Sequence, residues 1–243
     1  MLIWGINPVL EALRAKRVTR LRVGPRTDKR IEEVLALARE RGVRVEKTDP
    51  QALDRAAKGG VHQGIVAELE PLRDYSVEEL VAAAAPEAPL LVVLDGVEDP
   101  HNLGAILRTV DAAGGHGVIR QARHAAALER VAAKASAGAV SYVRIATVVN
   151  IARALEELKD AGVWTVGFAG EAGESYDAVD FTLPTALVVG SEGEGLRRLT
   201  KERCDRLVRI PMRGAVSSLN VSVATGVALF EAVRQRRARS DKM

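Results

Sequence analysis

The sequence predicts an α/β protein in two parts, a small α/β/α N-terminal domain and a larger domain built on a parallel sheet. Three observations carry this. From residue 90 onward, continuous apolar runs alternate with helix-length amphipathic stretches; such runs belong to strands covered on both faces. Residues 1–70 show a shorter alternation of helical and strand-like segments. Between the two, PLRDYSVEELVAAAAPEAP is punctuated by Pro71, Pro86 and Pro89 and reads as a linker over residues 71–89.

In chain order, the first part reads as helix Ile6–Ala15, strand Leu21–Val23, helix Arg30–Arg41, strand Val43–Glu46, a short helix and strand Gly64–Leu69. In the linker, Ser76 and Glu79 form a capping-box pattern ahead of an Ala-rich helix. The second part, 90–243, reads as strands Leu90–Leu94, Val118–Ile119, Val163–Phe168, Ala186–Val189 and Leu207–Ile210. Its helices fall at Leu103–Ala113, roughly Ala125–Ala137, Ile151–Ala161 and Leu196–Arg203, and a last amphipathic helix follows residue 220. In such sheets ligands gather at the carboxyl ends of the strands.

Bulk properties bound the function. At 243 residues and 47% hydrophobic, the chain can bury a substantial core. No segment is apolar enough to span a membrane, and the start, MLIWGINPVLEAL, lacks a secretory signal pattern, so a cytoplasmic protein is expected. Cys204 is alone, which excludes a disulfide framework and a Cys-based zinc site; His62, His101, His116 and His124 have no metal-ligand spacing, so no metal is expected. The net charge of +3 hides an asymmetry: 15 Lys/Arg against 10 Asp/Glu over residues 1–73, 15 against 21 over 74–233, and five against one in the tail 234–243. Basic ends suit a nucleic-acid partner, although a modest positive excess also describes an ordinary solvated surface. Aromatics make up only 3%, which disfavours base stacking; Arg outnumbers Lys 27 to 8, which favours phosphate contact.

Three strand ends carry the informative residues. The first is Leu94-Asp95-Gly96-Val97-Glu98-Asp99-Pro100-His101-Asn102-Leu103-Gly104, continuing to Arg108. Asn102 suits a helix cap, and Arg108 either projects toward the same mouth or is solvated. The second is Gly190-Ser191-Glu192-Gly193-Glu194-Gly195, whose glycines let backbone groups approach a ligand. It is not G-x-G-x-x-G, so dinucleotide binding, and with it a small-molecule oxidoreductase, is disfavoured. The third is IPMRGAVSSLNVSVA at 210–224, which places Ser217, Ser218 and Asn220 where strand gives way to helix.

Together, and in this order, the three segments resemble the signature motifs of the SpoU/TrmH branch of the SPOUT RNA methyltransferases. Gly5-Ile6-Asn7-Pro8-Val9 and His62-Gln63-Gly64-Ile65-Val66-Ala67 are similar to the N-terminal domain of the subgroup that methylates a guanosine ribose in large-subunit rRNA. The resemblance implies an L30e-like RNA substrate-binding domain over 1–70 and a SPOUT catalytic domain over 90–243. It also implies a C-terminal trefoil knot, a topology that pattern reasoning alone rejects because true knots are almost absent among proteins. S-adenosylmethionine as cofactor, homodimerisation, an RNA partner (large-subunit rRNA) and neither membrane nor DNA are implied as well.

For the site, the resemblance implies Asn102, Arg108, Glu192, Ser218 and Asn220 as catalytic residues and Gly190, Gly193, Ile210, Met212 and Leu219 around the cofactor. It puts Arg108 beside the reacting hydroxyl as general base. Arg stays protonated in proteins, so a phosphate anchor that also stabilises the developing alkoxide is the better physical reading. Asn102 would orient Arg108 or the ribose, Glu192 would hold the Arg or the cofactor end, and Ser218 and Asn220 would fix the catalytic loop and the nucleotide. Two features depart from the family pattern: Arg213 beside Met212, and 120–126 (RQARHAA), where Arg123 fits a position often basic. A tRNA 2′-O-methyltransferase and a non-catalytic RNA-binding or ribosome-assembly factor are the competing readings.

Overall fold

The computed structural model describes residues 2–71, 73–122 and 142–240. Its described residues fall into two compact units, one of residues up to 71 together with Tyr142 and the other of residues 73–122 and 143–240. The helix expected at Ala125–Ala137, Arg123 and His124 lie outside the described residues.

The first unit runs β1 (Leu2–Trp4), α1 (Ile6–Arg14), β2 (Val18–Val23), α2 (Lys29–Glu40), β3 (Arg44–Lys47), α3 (Pro50–Ala57) and β4 (Ile65–Leu69). The strands form a mixed sheet in the order β1-β4-β2-β3, antiparallel at both β4 pairings and parallel between β2 and β3. Ile3, Leu13, Leu21, Ile31, Val34 and Ile65 are fully buried between sheet and helices. Asp28 caps α2, its carboxylate accepting from the Arg30 and Ile31 amides, and Asp49 caps α3 ahead of Pro50. β1 escaped the sequence reading because three residues carry too short a period to register.

The second unit runs α4 (Val77–Ala82), β5 (Leu90–Asp95), α5 (Pro100–Ala112), β6 (Gly117–Gln121), β7 (Ile145–Val148), α6 (Ile151–Asp160), β8 (Trp164–Phe168), β9 (Glu174–Ser175), β10 (Thr185–Gly190), α7 (Arg198–Arg203), β11 (Arg206–Arg209) and α8 (Val221–Ser240). Its seven strands order as β7-β6-β5-β10-β8-β11-β9, and every pairing is parallel. β5 and β10 lie side by side in the middle and are buried along their whole length, which is why both read as unbroken apolar runs. β7 and β9 are edge strands, short and only partly buried, and were not expected.

Residues 77–82 are structured by the capping box that Ser76 and Glu79 form, each accepting the other's backbone N–H. Val77 and Leu80 enter the core beside Leu91, Ile119, Leu155 and Val188. The segment read as a linker thus supplies a helix to the second unit. Cys204 packs against the same core, and burial pushes its thiol up to about 12, leaving no reactive thiolate at neutral pH.

The C-terminal helix is locked by two side chains. Arg236 donates to four backbone carbonyls, those of Phe181, Leu183, Ala88 and Pro89. Gln235 accepts from the Phe181 amide at 2.8 Å and donates to the Val179 carbonyl at 3.0 Å. Residues 179–183 have no regular structure of their own, so these bonds satisfy carbonyls and an amide that strands would otherwise pair. Part of the basic tail is therefore a clamp. Arg236→Met, which keeps most of the stem and removes every donor, is expected to lower unfolding free energy by about 2–3 kcal/mol in urea titration.

His116 joins the start of the sheet by accepting from the Leu90 amide at 2.9 Å through Nδ1, a bond only the deprotonated nitrogen can make. Burial holds its pKa below the ordinary 6.5, against the opposing pull of Glu87. Because the folded pKa is the depressed one, the unfolded chain binds the proton first as pH falls. Stability is therefore full above about pH 6.5 and declines through the window beneath it. Urea midpoints at pH 7.5 and 5.5 are expected to differ more for the wild-type protein than for His116→Gln.

Candidate active site

The three segments singled out in the sequence converge at the carboxyl ends of the central strands. Asn102 leads from β5, Glu192 follows β10, and Asn220 sits between β11 and α8. Asn220 joins them: its Nδ2 donates to Asn102 Oδ1 at 2.9 Å and to Glu192 Oε1. Its Oδ1 meanwhile accepts from Ser222 N at 2.9 Å, Ser222 Oγ at 2.6 Å and Val223 N at 3.4 Å. One carboxamide thus caps α8 with its oxygen and ties two distant loops with its nitrogen.

Asn102 is not a cap. Asp99 occupies that position, accepting from the His101 amide, and Pro100 opens the helix. Asn102 lies one turn in, buried, with its side chain committed to Asn220. The local pattern Asp-Pro-His-Asn admits either residue as cap; Pro100 decides it, because proline suits the first helical position and the cap must precede it.

The Glu192 loop is shaped by backbone contact. Ser191 and Gly195 exchange both backbone hydrogen bonds, at 3.1 and 3.0 Å, closing residues 191–195 into a pinched turn with Gly193 at φ +89°. A Cβ on Gly190 would stand 2.0 Å from the Gly195 carbonyl carbon, so only glycine fits there. Beneath this turn, Asp95 at the end of β5 has a fully buried carboxylate. It accepts from Arg197 N at 2.9 Å, Nε at 2.6 Å and Nη2, and the same guanidinium reaches Gln121 Oε1 at 2.9 Å. A buried carboxylate is tolerated only with such partners. Sequence reasoning passed over the pair, since its members are 102 positions apart and each looks ordinary alone.

Around this junction opens a cavity of about 870 Å³, within the roughly 300–1,000 Å³ of small-molecule clefts. Gly190, Gly193, Ile210, Met212, Leu219, Ser218, Glu192 and Asn220 all line it. Asn102 borders it only through Asn220. Arg108 stands on the exposed face of α5 and, among the described residues, forms no hydrogen bond or ion pair with Asn102 or Glu192. Six residues on, it stands roughly 120° around the helix from Asn102. Glu171 and Lys201, also in the cavity lining, were not expected from the sequence.

Comparison with known proteins points to one family. Residues 89–230 match the model of the SpoU rRNA Methylase family. The chain belongs to the SpoU rRNA methylase family. Residues 2–75 of this SpoU protein match the RNA 2′-O ribose methyltransferase substrate-binding model. It is 46% identical over 240 residues to the 23S rRNA (guanosine-2′-O-)-methyltransferase RlmB of Photobacterium profundum, covering 97% of this chain and 98% of the relative. The enzyme of the same name from Escherichia coli K12 is 45% identical over 240 residues, at the same coverage. Among solved structures, the SpoU methyltransferase AviRb from Streptomyces viridochromogenes in complex with AdoMet superposes with a TM-score of 0.79 at 28% identity, covering 98% of this chain and 91% of that one. An AdoMet-bound rRNA methyltransferase from Sinorhizobium meliloti gives 0.75 at 29%, covering 96% and 86%.

Asn220→Asp separates the two duties of this SpoU carboxamide. Aspartate caps a helix as well as asparagine, so thermal unfolding of α8 is expected to shift little. The variant loses the donor to Asn102 and sets a second carboxylate beside Glu192, so calorimetric affinity for S-adenosylhomocysteine is expected to fall at least tenfold.

Proposed function

We propose that the protein transfers the methyl group of S-adenosylmethionine to the 2′-hydroxyl of a guanosine ribose in 23S rRNA. The observation that carries this is the Asn102–Asn220–Glu192 junction at the mouth of a cofactor-sized cavity on strand carboxyl ends. The near full-length likeness to relatives named for that reaction supports the substrate.

The cavity fits the cofactor by its chemistry. Gly190, Ile210 and Leu219 offer backbone groups for the adenine and ribose, with Gly193 and Met212 as neighbours. Beyond Gly193 nothing lies within 4 Å of where a Cβ would stand, so ligand atoms can approach the main chain there. Bound S-adenosylmethionine supplies an electrophilic methyl on sulfur. The chain's own task is to align donor and acceptor, a contribution worth roughly 7–11 kcal/mol, and to favour loss of the hydroxyl proton. Asn220 and Asn102 hold the Glu192 loop and the start of α5 in one geometry. Ser218, exposed beside them, orients the catalytic loop and the nucleotide. Arg108 anchors the RNA phosphate and stabilises the forming alkoxide.

The first unit binds the RNA, and the C-terminal part of the second unit forms the family's trefoil knot, a reading supported by the contact of Asn220 with Glu192. The protein works as a homodimer in the cytoplasm. Supporting the dimer, Val223 and Phe230 lie seven residues apart on one face of α8, each 51% exposed. Among the described residues no helix is long and apolar enough to cross a membrane.

Labelled methyl transfer from S-adenosylmethionine to 23S rRNA, with mapping of the 2′-O-methyl site lost in a strain lacking the protein, tests the reaction. Transfer to tRNA alone, or cofactor binding without transfer to any RNA, would overturn it. Arg108→Lys is expected to raise KM for RNA with an unchanged pH profile. Arg108→Ala is expected to cost about 10²–10³ in kcat. A shifted pH profile in Arg108→Lys would assign the base role instead. Phe230→Glu is expected to sediment as a monomer.

A further inference from the structure

The cavity has a second polar end. Glu171 lies three residues past β8, in a turn held by Ala169 N donating to Val208 O at 2.9 Å and by Ala172 N donating to Ala169 O at 3.1 Å. Its Oε1 accepts from Lys201 Nζ on α7, and both side chains line the cavity. The pair borders one side of a ligand-sized space.

Sheet order fixes which end of the cofactor this pair faces. The loops carrying Asn102 and Glu192 follow β5 and β10, whereas Glu171 follows β8, on the far side of β10 from β5. Strands stand about 4.8 Å apart, so the Glu171 turn is roughly 10 Å from the β5 side. If transfer takes place at the Asn220 junction, as proposed above, the cofactor's sulfur would sit there, since methyl and acceptor oxygen must come within about 3–3.5 Å. The nucleoside then extends toward β8.

Charge decides what the pair recognises there. Lys201 and Glu171 neutralise each other, and the amino-acid end of the cofactor, itself a zwitterion, would have to prise them apart. A neutral diol would not: Lys201 takes one lone pair of Oε1, and a carboxylate has further lone pairs to offer. Gly170 adds room, since nothing lies within 4 Å of where its Cβ would stand. We propose that Glu171 accepts hydrogen bonds from the ribose hydroxyls of the cofactor's nucleoside, with Lys201 as the positioning residue that holds the carboxylate. The hydrogen bond from Lys201 also keeps Glu171 below the usual glutamate pKa, so the acceptor stays charged. Carboxylate recognition of a ribose diol at a strand's carboxyl end is sound chemistry in other α/β sheets.

This inference rests on the cofactor reading, and the test separates the two. Calorimetric titration of wild-type protein, Glu171→Gln and Lys201→Met with S-adenosylhomocysteine and with its 2′,3′-dideoxy analogue reads the contact directly. The wild-type protein is expected to bind the analogue at least tenfold more weakly than S-adenosylhomocysteine. Glu171→Gln is expected to bind both about equally, at the weaker level. Lys201→Met is expected to lose part of the discrimination, and Lys201→Arg to restore it, which a purely structural ion pair would not do. Full discrimination retained in Glu171→Gln overturns the proposal while leaving the cofactor reading intact. No binding of S-adenosylhomocysteine by wild-type protein overturns both. Thermal unfolding of each variant confirms that the titrated protein is folded.

Discussion

The cavity end of the second unit depends on one carboxamide. Asn220 uses its oxygen to start the last helix and its nitrogen to draw together Asn102 and Glu192, residues 118 and 28 positions away. An amide is suited to this because it carries two acceptor sites and two donors on one rigid plane. A carboxylate could cap but not donate, and a hydroxyl could not reach both loops. The helix thus begins where the junction requires it, and the clamp at Arg236 and Gln235 holds its other half against residues 179–183.

Beneath the junction, the scaffold is made rigid by contacts that tolerate no substitute. Gly190 admits no side chain, because the backbone of Gly195 and Leu196 lies where a Cβ would be. Asp95 is wholly buried, and its charge is matched by a guanidinium and a backbone amide of the same residue, Arg197. Placing a buried carboxylate under an active-site turn is costly unless every lone pair is met, and here Arg197 meets it from the turn's own continuation. The polar groups at the surface of the cavity are consequently held by groups that cannot move independently.

The family motifs were legible because they sit in short contiguous runs. Gly193, Ser218, Asn220 and their neighbours fall within a few residues of strand ends, where local pattern and ligand geometry coincide. Asn102 was legible as important but ambiguous in role; Asp99 and Pro100 took the cap and freed its amide for Asn220. Arg108 illustrates the opposite case. Its motif position is plain, yet the structure leaves it on the exposed face of α5, without a partner among the described residues. A phosphate ligand would give it one. Glu171 and Lys201 were invisible, being thirty positions apart and drawn together only by the way α7 lies across the turn after β8.

The sequence by itself determined the class of the fold, the two-part organisation of its patterns and the residues that could do chemistry. Apolar periodicity and turn residues act over a few positions and survive in one dimension. Only the tertiary structure decided the strand order, which inserts β10 between β5 and β8, and the pairings that this order creates. Hydrogen bonds such as Asn220 to Asn102 and Arg197 to Asp95 depend on which loops emerge side by side. That is a property of the whole sheet, and no local stretch of chain encodes it.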